Sequence, residues 1–433
     1  MGNSKEKISL QRVDPFRWRI PVSQNSEMRV PGLVYADDEL IQQIIDDNAL
    51  HQVANVATLP GIVGHSLGMP DIHWGYGFPV GGVAATDAET GVVSPGGIGF
   101  DINCGVRLIA TDLMREQIRG QADRLADALF HALPSGVGGA GMRDLSAREM
   151  REVMVRGSAW AIEQGYGREE DLEVTEESGC LAGADPEKVS KAALQRGMKQ
   201  LGSLGSGNHF AEVEIVEHIY DQEAAEALGI GQVGQVVAMI HCGSRGFGHQ
   251  IAEDYIKLAE SKQAAYGFHL VDRQLACLPL QSDEGKAYLA AMACGANFAW
   301  ANRQLLMQGV RQAFASVFGR KARARDMPLV YDVCHNIAKF EEYEIDGQKR
   351  RVCVHRKGAT RAFPPQHAAL PEKYREVGQP VLIPGDMGRY SFVLVGAPGS
   401  MEQSFGTCCH GAGRRQSRTA AKKSLSPREL LDQ

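Results

Sequence analysis

The sequence contains no uninterrupted apolar run of about 18 residues, the length a membrane-spanning helix requires. The opening MGNSKEKISLQRV lacks the apolar centre of a secretion signal. Gly2 invites comparison with an acylation motif, but position six is Glu6 where Ser or Thr is required. Neither sign of charge dominates: the formal net charge is -6 over 433 residues, which argues against a protein that coats nucleic acid non-specifically and leaves room for a local basic groove. Aromatics are only 7% of the chain. Nine cysteines are an odd number without the close, regular spacing of a disulfide scaffold, so free or metal-bound thiols in a reducing cytoplasm are expected, with no membrane partner.

Glycine is plentiful and concentrated. Residues 61–112 hold GIVGHSLGMPDIHWGYGFPVGGVAA and SPGGIGFDINCGVRLIATDL, which predict tight, site-building loops between short strands. Before them, residues 1–60 read as a polar entry segment and one short helix in DDELIQQIIDDNALHQVANVA. REQIRGQADRLADALFHAL has helical apolar spacing, and Ser146 with Glu149 forms a capping box for a helix running through Gly165. Asp185-Pro186 reads as a helix start. Residues 210–241 alternate as strand, 283–318 form a long helix, and PLVYDVCH, RRVCVHR, QPVLIP and SFVLVG are strands. Length alone suggests roughly two to three domains. The candidate site residues, however, run from Asp101 to His410, so convergence on one site requires a single interwoven α+β domain, mixed sheets flanked by helices.

Five short motifs carry chemistry. Asp101 and Cys104 in GGIGFDINCGVRL place a carboxylate and a thiolate three residues apart, a pair able to chelate a divalent cation. Asn208-His209, His241 and His335-Asn336 lie at predicted strand ends; taken alone, each histidine reads more readily as a hydrogen-bonded structural residue than as a ligand. The loop after His241 offers backbone N–H groups and Arg245 as a phosphate cradle. In TCCHGAGRRQSR, His410 is sterically open between small residues, and a neutral imidazole can attack phosphorus. Together, one Asp, one Cys and three His suit two divalent ions sharing a thiolate, an arrangement that clamps phosphoryl transfer; zinc remains open as the metal.

The motifs GMPDIHWGYGFPVGGVAA, GIGFDINCGVR, GSLGSGNHF, HCGSRGFGHQ, NFAWANR, DVCHNIAK, VHRKGATRA and FGTCCHGAGRRQSR occur in order along nearly the whole chain, and in this the sequence resembles the RtcB RNA ligases. The resemblance implies joining of RNA 3′-phosphate or 2′,3′-cyclic phosphate ends to 5′-hydroxyl ends, with GTP and two manganese ions per site. It implies one manganese on Asp101, Cys104 and His209, and a second on Cys104, His241 and His335. It makes His410 the guanylylated residue. Asn208, Glu212, Asn336, Pro384, Gly385, Asp386, Met387, Ser391, Gly411, Ala412 and Gly413 match its GMP-binding positions. It also implies an archease-type activator as partner, and a monomer is expected.

Arg245 and Arg414 are the RNA-phosphate candidates, with the basic runs HRKGATR and RRQSR beside them. Trp74 reads as a packed aromatic more than as a base-stacking one, and for Asn302 and Arg303 packing and RNA contact stay undivided. Capping of 3′-phosphate ends without ligation, or non-catalytic RNA binding, are the competing functions. The chain stops at SLSPRELLDQ, where Ser426, Pro427 and Glu429 open a helix that does not continue. Family members run on to a lysine that contacts guanine, so an intact metal site with weak GTP binding is expected.

Overall fold

The computed structural model describes residues 8–136, 138–319, 327–385 and 389–411. Two sheets frame it. One has seven strands in the order Gln11–Asp14, Arg17–Ile20, Gly32–Tyr35, Ile62–His73, Val80–Asp87, Gln348–Lys357 and Asn336–Ile345. All its neighbours are antiparallel except Gly32–Tyr35 with Ile62–His73. The other has four antiparallel strands in the order Leu329–Cys334, Gly105–Met114, Gln235–Cys242 and Phe210–Ile215. The chain leaves the four-stranded sheet at Cys334 and enters the seven-stranded sheet at Asn336, so His335 is the residue that crosses between them.

The helix Asp283–Phe318 is buried on nearly every side. Such a helix belongs in a core, and its many alanines let neighbours approach closely. Phe298, Trp300 and Leu305 pack with Trp160 and Phe247. Leu306, Met307, Val310 and Phe314 pack against Val106, Leu108, Met239 and Ile240 of the four-stranded sheet. Its polar residues are bonded rather than exposed. Asn302 Oδ1 accepts from Gly202 N and Ser203 N at 2.7 and 3.1 Å. Arg303 donates to the carbonyls of Asn103 and Cys242 at 2.7 and 2.9 Å. The NFAWANR motif is therefore a scaffold that pins the loops next to Asp101–Cys104 and His241, and Arg303 is not an RNA contact.

Several sequence expectations shift. The residues before position 60 build three strands and two helices, Asp38–Ile45 and Ala49–Val56, where one helix was expected. Asp47 interrupts that helix by accepting from Ala49 N, the competition short polar side chains offer to helical bonding. The Ser146–Glu149 capping box forms, but its helix ends at Arg156, and Gly157 at φ 53° starts a second one, Ser158–Glu163. Gly120 at φ 77° likewise divides 115–133 into Arg115–Ile118 and Ala122–Ala132. Between the strands of 210–242 lies a helix, Gln222–Leu228, capped by Asp221 and by left-handed Gly229. No helix among the described residues is long and apolar enough to cross a membrane, and all nine cysteines are free.

Candidate active site

Strand ends deliver every candidate ligand. Asp101–Cys104 is the turn that feeds Gly105–Met114, His209 precedes Phe210–Ile215, and His241 is the penultimate residue of Gln235–Cys242. Because these strands are sheet neighbours, with Gly105 opposite both Cys242 and Cys334, their ends meet. Two donor triads result, Asp101–Cys104–His209 and Cys104–His241–His335, each with its ligand atoms within 4.8 Å of one another. Cys104 Sγ is shared: it lies 3.2 Å from His241 Nε2 and 3.6 Å from His209 Nε2. His241 Nε2 and His335 Nε2 are 3.2 Å apart, and His209 Nε2 is 2.8 Å from Asp101 Oδ2.

The surroundings orient these donors. Asp101 Oδ1 accepts from Ser244 N at 2.9 Å, at the start of the helix Arg245–Lys262, while the Leu204 carbonyl lies 3.1 Å from His209 Nδ1. A bond there makes Nδ1 the donor and reserves Nε2 for a metal, the usual second-sphere arrangement. Burial is the largest influence on both His241 and His335 and lowers both, holding them as the neutral imidazoles a metal binds. Burial works against the Asp101 anion, but His209 and Arg245 overcome it and hold the carboxyl below its ordinary range. Burial pushes the Cys104 thiol up to about 12, with Asp101 adding to it. A thiol so placed is a poor metal-free anion, and a bound dication reverses that cost by deprotonating it. The donor set of one thiolate, one carboxylate and three imidazoles thus fits two divalent ions bridged by sulfur.

His410 comes to this cluster by a separate route. Ala359–Arg361, just past the seven-stranded sheet's Gln348–Lys357 strand, pairs with Thr407–Cys409. The Ala359 N–H donates to the His335 carbonyl at 3.1 Å. The His335 and His410 rings are consequently 4.8 Å apart, edge to face. His410 Nδ1 lies 2.6 Å from Asp71 Oδ2, which also accepts from the backbone N–H groups of His410 and Gly411 at 3.0 and 3.2 Å. One carboxylate oxygen thereby fixes the loop and the ring together and leaves Nε2 without a part in this clamp. Asp71 lies within the DIHW segment of the sequence and drew no role there; nothing local marks a carboxylate whose partner is 339 residues away.

The remaining candidates fall into groups. Asn336 Nδ2 donates to the Asp101 carbonyl at 3.0 Å, and its Oδ1 accepts from Gly358 N at 2.9 Å, so it joins the metal loop to the His410 side. A Cβ on Gly411 would meet the Pro384 carbonyl at 3.5 Å. Ser391 Oγ accepts from Gly385 N at 3.1 Å and donates to Glu214 at 2.6 Å. Glu214 is a residue the sequence reading passed over in favour of Glu212; burial raises both carboxyls, and Glu214 raises Glu212 further. Asn208 is exposed beside His209. Ser391 and Glu214 border a cavity of about 1070 Å³ walled by Leu108, Val237 and Met239. Arg245 adopts φ 57°, strained for a non-glycine residue, and its Nη1 lies 2.9 Å from His209 Nδ1. A Cβ on Gly205 would stand 1.5 Å from its guanidinium, so glycine makes room for it. Asp386, Met387, Ala412, Gly413 and Arg414 lie outside the described residues, as do the RRQSR run and Ser426–Glu429.

The HRKGATR run is not an RNA surface. His355, Arg356, Lys357 and Arg361 are all buried. Arg356 pairs with Glu341 through two bonds of 2.7 and 2.8 Å, Arg361 pairs with Glu177 at 2.7 Å, and Lys357 Nζ donates to the carbonyls of Tyr76, Phe78 and Gly96. Buried charges persist only when bonded in this way, and these are structural.

The sequence matches the family described as tRNA-splicing ligase RtcB over residues 52–433. The tRNA-splicing ligase RtcB of Thermococcus kodakarensis is 55% identical over 419 residues, which cover 97% of this chain and 86% of the relative. That of Archaeoglobus fulgidus is 53% identical over 416 residues, 96% of this chain and 86% of the relative. That of Pyrobaculum aerophilum is 50% identical over 428 residues, 98% and 88%. Identity at this level over nearly the whole chain places the chain in the RtcB family.

Proposed function

We propose that this chain is a GTP- and manganese-dependent RNA ligase that joins 3′-phosphate or 2′,3′-cyclic phosphate ends to 5′-hydroxyl ends in tRNA splicing or RNA repair. The observation that carries the reading is His410, clamped through Nδ1 by Asp71 and packed against His335 at the edge of the thiolate-bridged donor set. Family membership supplies manganese and GTP as the expected choices. Manganese ions on Asp101, Cys104 and His209 and on Cys104, His241 and His335 would supply Lewis-acid stabilisation of phosphoryl charge.

The chain's own residues then act in order. His410 Nε2 attacks the α-phosphorus of GTP; the N–P bond forms and pyrophosphate leaves with the broken P–O bond. Asp71 accepts from Nδ1 and stabilises the positive charge that the ring acquires. A 2′,3′-cyclic end is first hydrolysed to a 3′-phosphate. That phosphate displaces His410 from the guanylate and leaves an RNA 3′-pp-5′-G end. The 5′-hydroxyl of the second RNA attacks the RNA phosphorus and expels GMP. With His209 Nδ1 donating to the Leu204 carbonyl it cannot accept from Arg245, which leaves the guanidinium for an incoming phosphate.

Incubation with α-labelled GTP tests the first step. Label should stay on the protein, be acid-labile, and vanish in His410→Ala with metal content intact. Adding a 3′-phosphate RNA, with and without a 5′-hydroxyl partner, separates ligation from capping alone. Label that persists in His410→Ala overturns the assignment.

A further inference from the structure

Three rings meet at Phe100, beside Asp101 in the sequence. Phe100, the residue before Asp101, stacks on His249 with centroids 5.0 Å apart and planes 26° apart. Tyr76 meets Phe100 edge-on at 5.6 Å. Trp74, two residues earlier, is 46% exposed, which corrects the expectation that it packs inside. The His249 side chain is 47% exposed, so the stack ends in a ring whose outer side meets solvent. His249 stands four residues after Arg245 on the helix Arg245–Lys262, and residues at this spacing share a face.

The backbone beneath this shelf is fixed, although Trp74 and His249 are exposed and Tyr76 and Phe100 are half-buried. Gln52 Nε2 donates to the Gly75 carbonyl at 2.7 Å and its Oε1 accepts from Gly75 N at 2.9 Å. The buried Lys357 Nζ donates to the carbonyls of Tyr76, Phe78 and Gly96 at 2.6, 2.9 and 3.0 Å. Tyr76 Oη donates to Glu260 at 3.3 Å. Aromatics kept at a surface on a rigid frame lose little entropy when another ring is laid on them. Along the chain, Trp74 connects Tyr76 to the strand Ile62–His73 that carries Asp71, and Phe100 is followed by Asp101.

We propose that Trp74, Tyr76, Phe100 and His249 form a stacking shelf for the unpaired bases of the RNA end being processed, while Arg245 takes its phosphate. The proposal rests on the ligase reading and adds to it the residues that hold the nucleobases. Stacking on aromatic faces tolerates any sequence, as an enzyme that joins varied ends requires.

The test measures binding of metal-loaded protein, by fluorescence anisotropy, to a 3′-phosphate RNA and to the same RNA made abasic over its terminal nucleotides. Wild type should prefer the RNA with bases by roughly tenfold to a hundredfold, the range of base–aromatic stacking. His249→Ala and Trp74→Ala should each remove most of that preference, and His249→Phe, which keeps a flat ring, should retain it. Equal affinity of wild type for the two RNAs, or an undiminished preference in both alanine variants, overturns the shelf and leaves the ligase reading standing. Failure of wild type to bind either RNA overturns the ligase reading and the shelf with it.

Discussion

Replacing Asp71 with Asn removes one charge from the His410 clamp and little else. Asp71 Oδ2 serves three N–H groups, from the His410 ring, the His410 backbone and the Gly411 backbone. A bond to a charged acceptor contributes about 1.5–3 kcal/mol and a neutral one about 1, so the amide weakens each by about 1 kcal/mol. The two backbone bonds are alike before and during attack and cancel from the barrier. The ring bond does not cancel, because the imidazole becomes cationic as Nε2 attacks. Losing at least about 1 kcal/mol there slows guanylylation about fivefold or more. Asp71 Oδ1 is buried with no partner, so an amide NH₂ in its place is also unsatisfied, costing stability by about 1–3 kcal/mol. The assay is single-turnover transfer from labelled GTP at saturating metal, with metal content and unfolding midpoint measured on the same preparation. Guanylylation of Asp71→Asn within about twofold of wild type, with both ions bound, would refute the claim that this carboxylate stabilises the reacting ring.

Cys104→Ser should lose more than one metal equivalent on quantitation, because its sulfur belongs to both triads, whereas His209→Ala and His335→Ala should each weaken mainly one; equal losses in all three would argue against a shared thiolate. Asp332→Asn leaves Arg107 and Arg303 buried without their counter-charge, and chemical denaturation should show a loss of about 3–5 kcal/mol. His355 is lowered from its ordinary value to about 4 by burial, with Ser94 N donating to Nε2 at 3.2 Å. Its folded value lies below its unfolded one, so its contribution is complete above pH about 6.5 and declines as pH falls toward 4, by about 3 kcal/mol in all. Urea midpoints across that window should fall more steeply for wild type than for His355→Leu.

The sequence and the structure agree most closely where chemistry and secondary structure coincide. Asp101, Cys104, His209, His241 and His335 each abut an apolar run, and the apolar runs become neighbouring strands, so adjacency in the sheet turns five scattered motifs into one cluster. The helix 283–318 was equally legible, since a helix apolar on all sides has only the core to occupy. Legibility fails in two ways. Local breakers were underweighted: Gly120, Gly157 and Asp47 each stop a helix whose apolar spacing continues past them. Charge was read as exposure: HRKGATR has the composition of a nucleic-acid surface, yet Glu341, Glu176 and Glu177 neutralise Arg356 and Arg361 inside the fold.

The His410 side of the site shows why spacing alone could not complete it. The metal donors of the four-stranded sheet need only that sheet's order to meet, but His410 needs two sheets placed against each other. His335, crossing from one sheet to the other, sets that placement, and the pairing of Ala359–Arg361 with Thr407–Cys409 carries His410 to it. Asp71 arrives independently on Ile62–His73 and closes the ring of contacts. A disturbance of the Ala359–Thr407 pairing should therefore move His410 away from the donor cluster, and through the Ala359–His335 bond it should also reach His335.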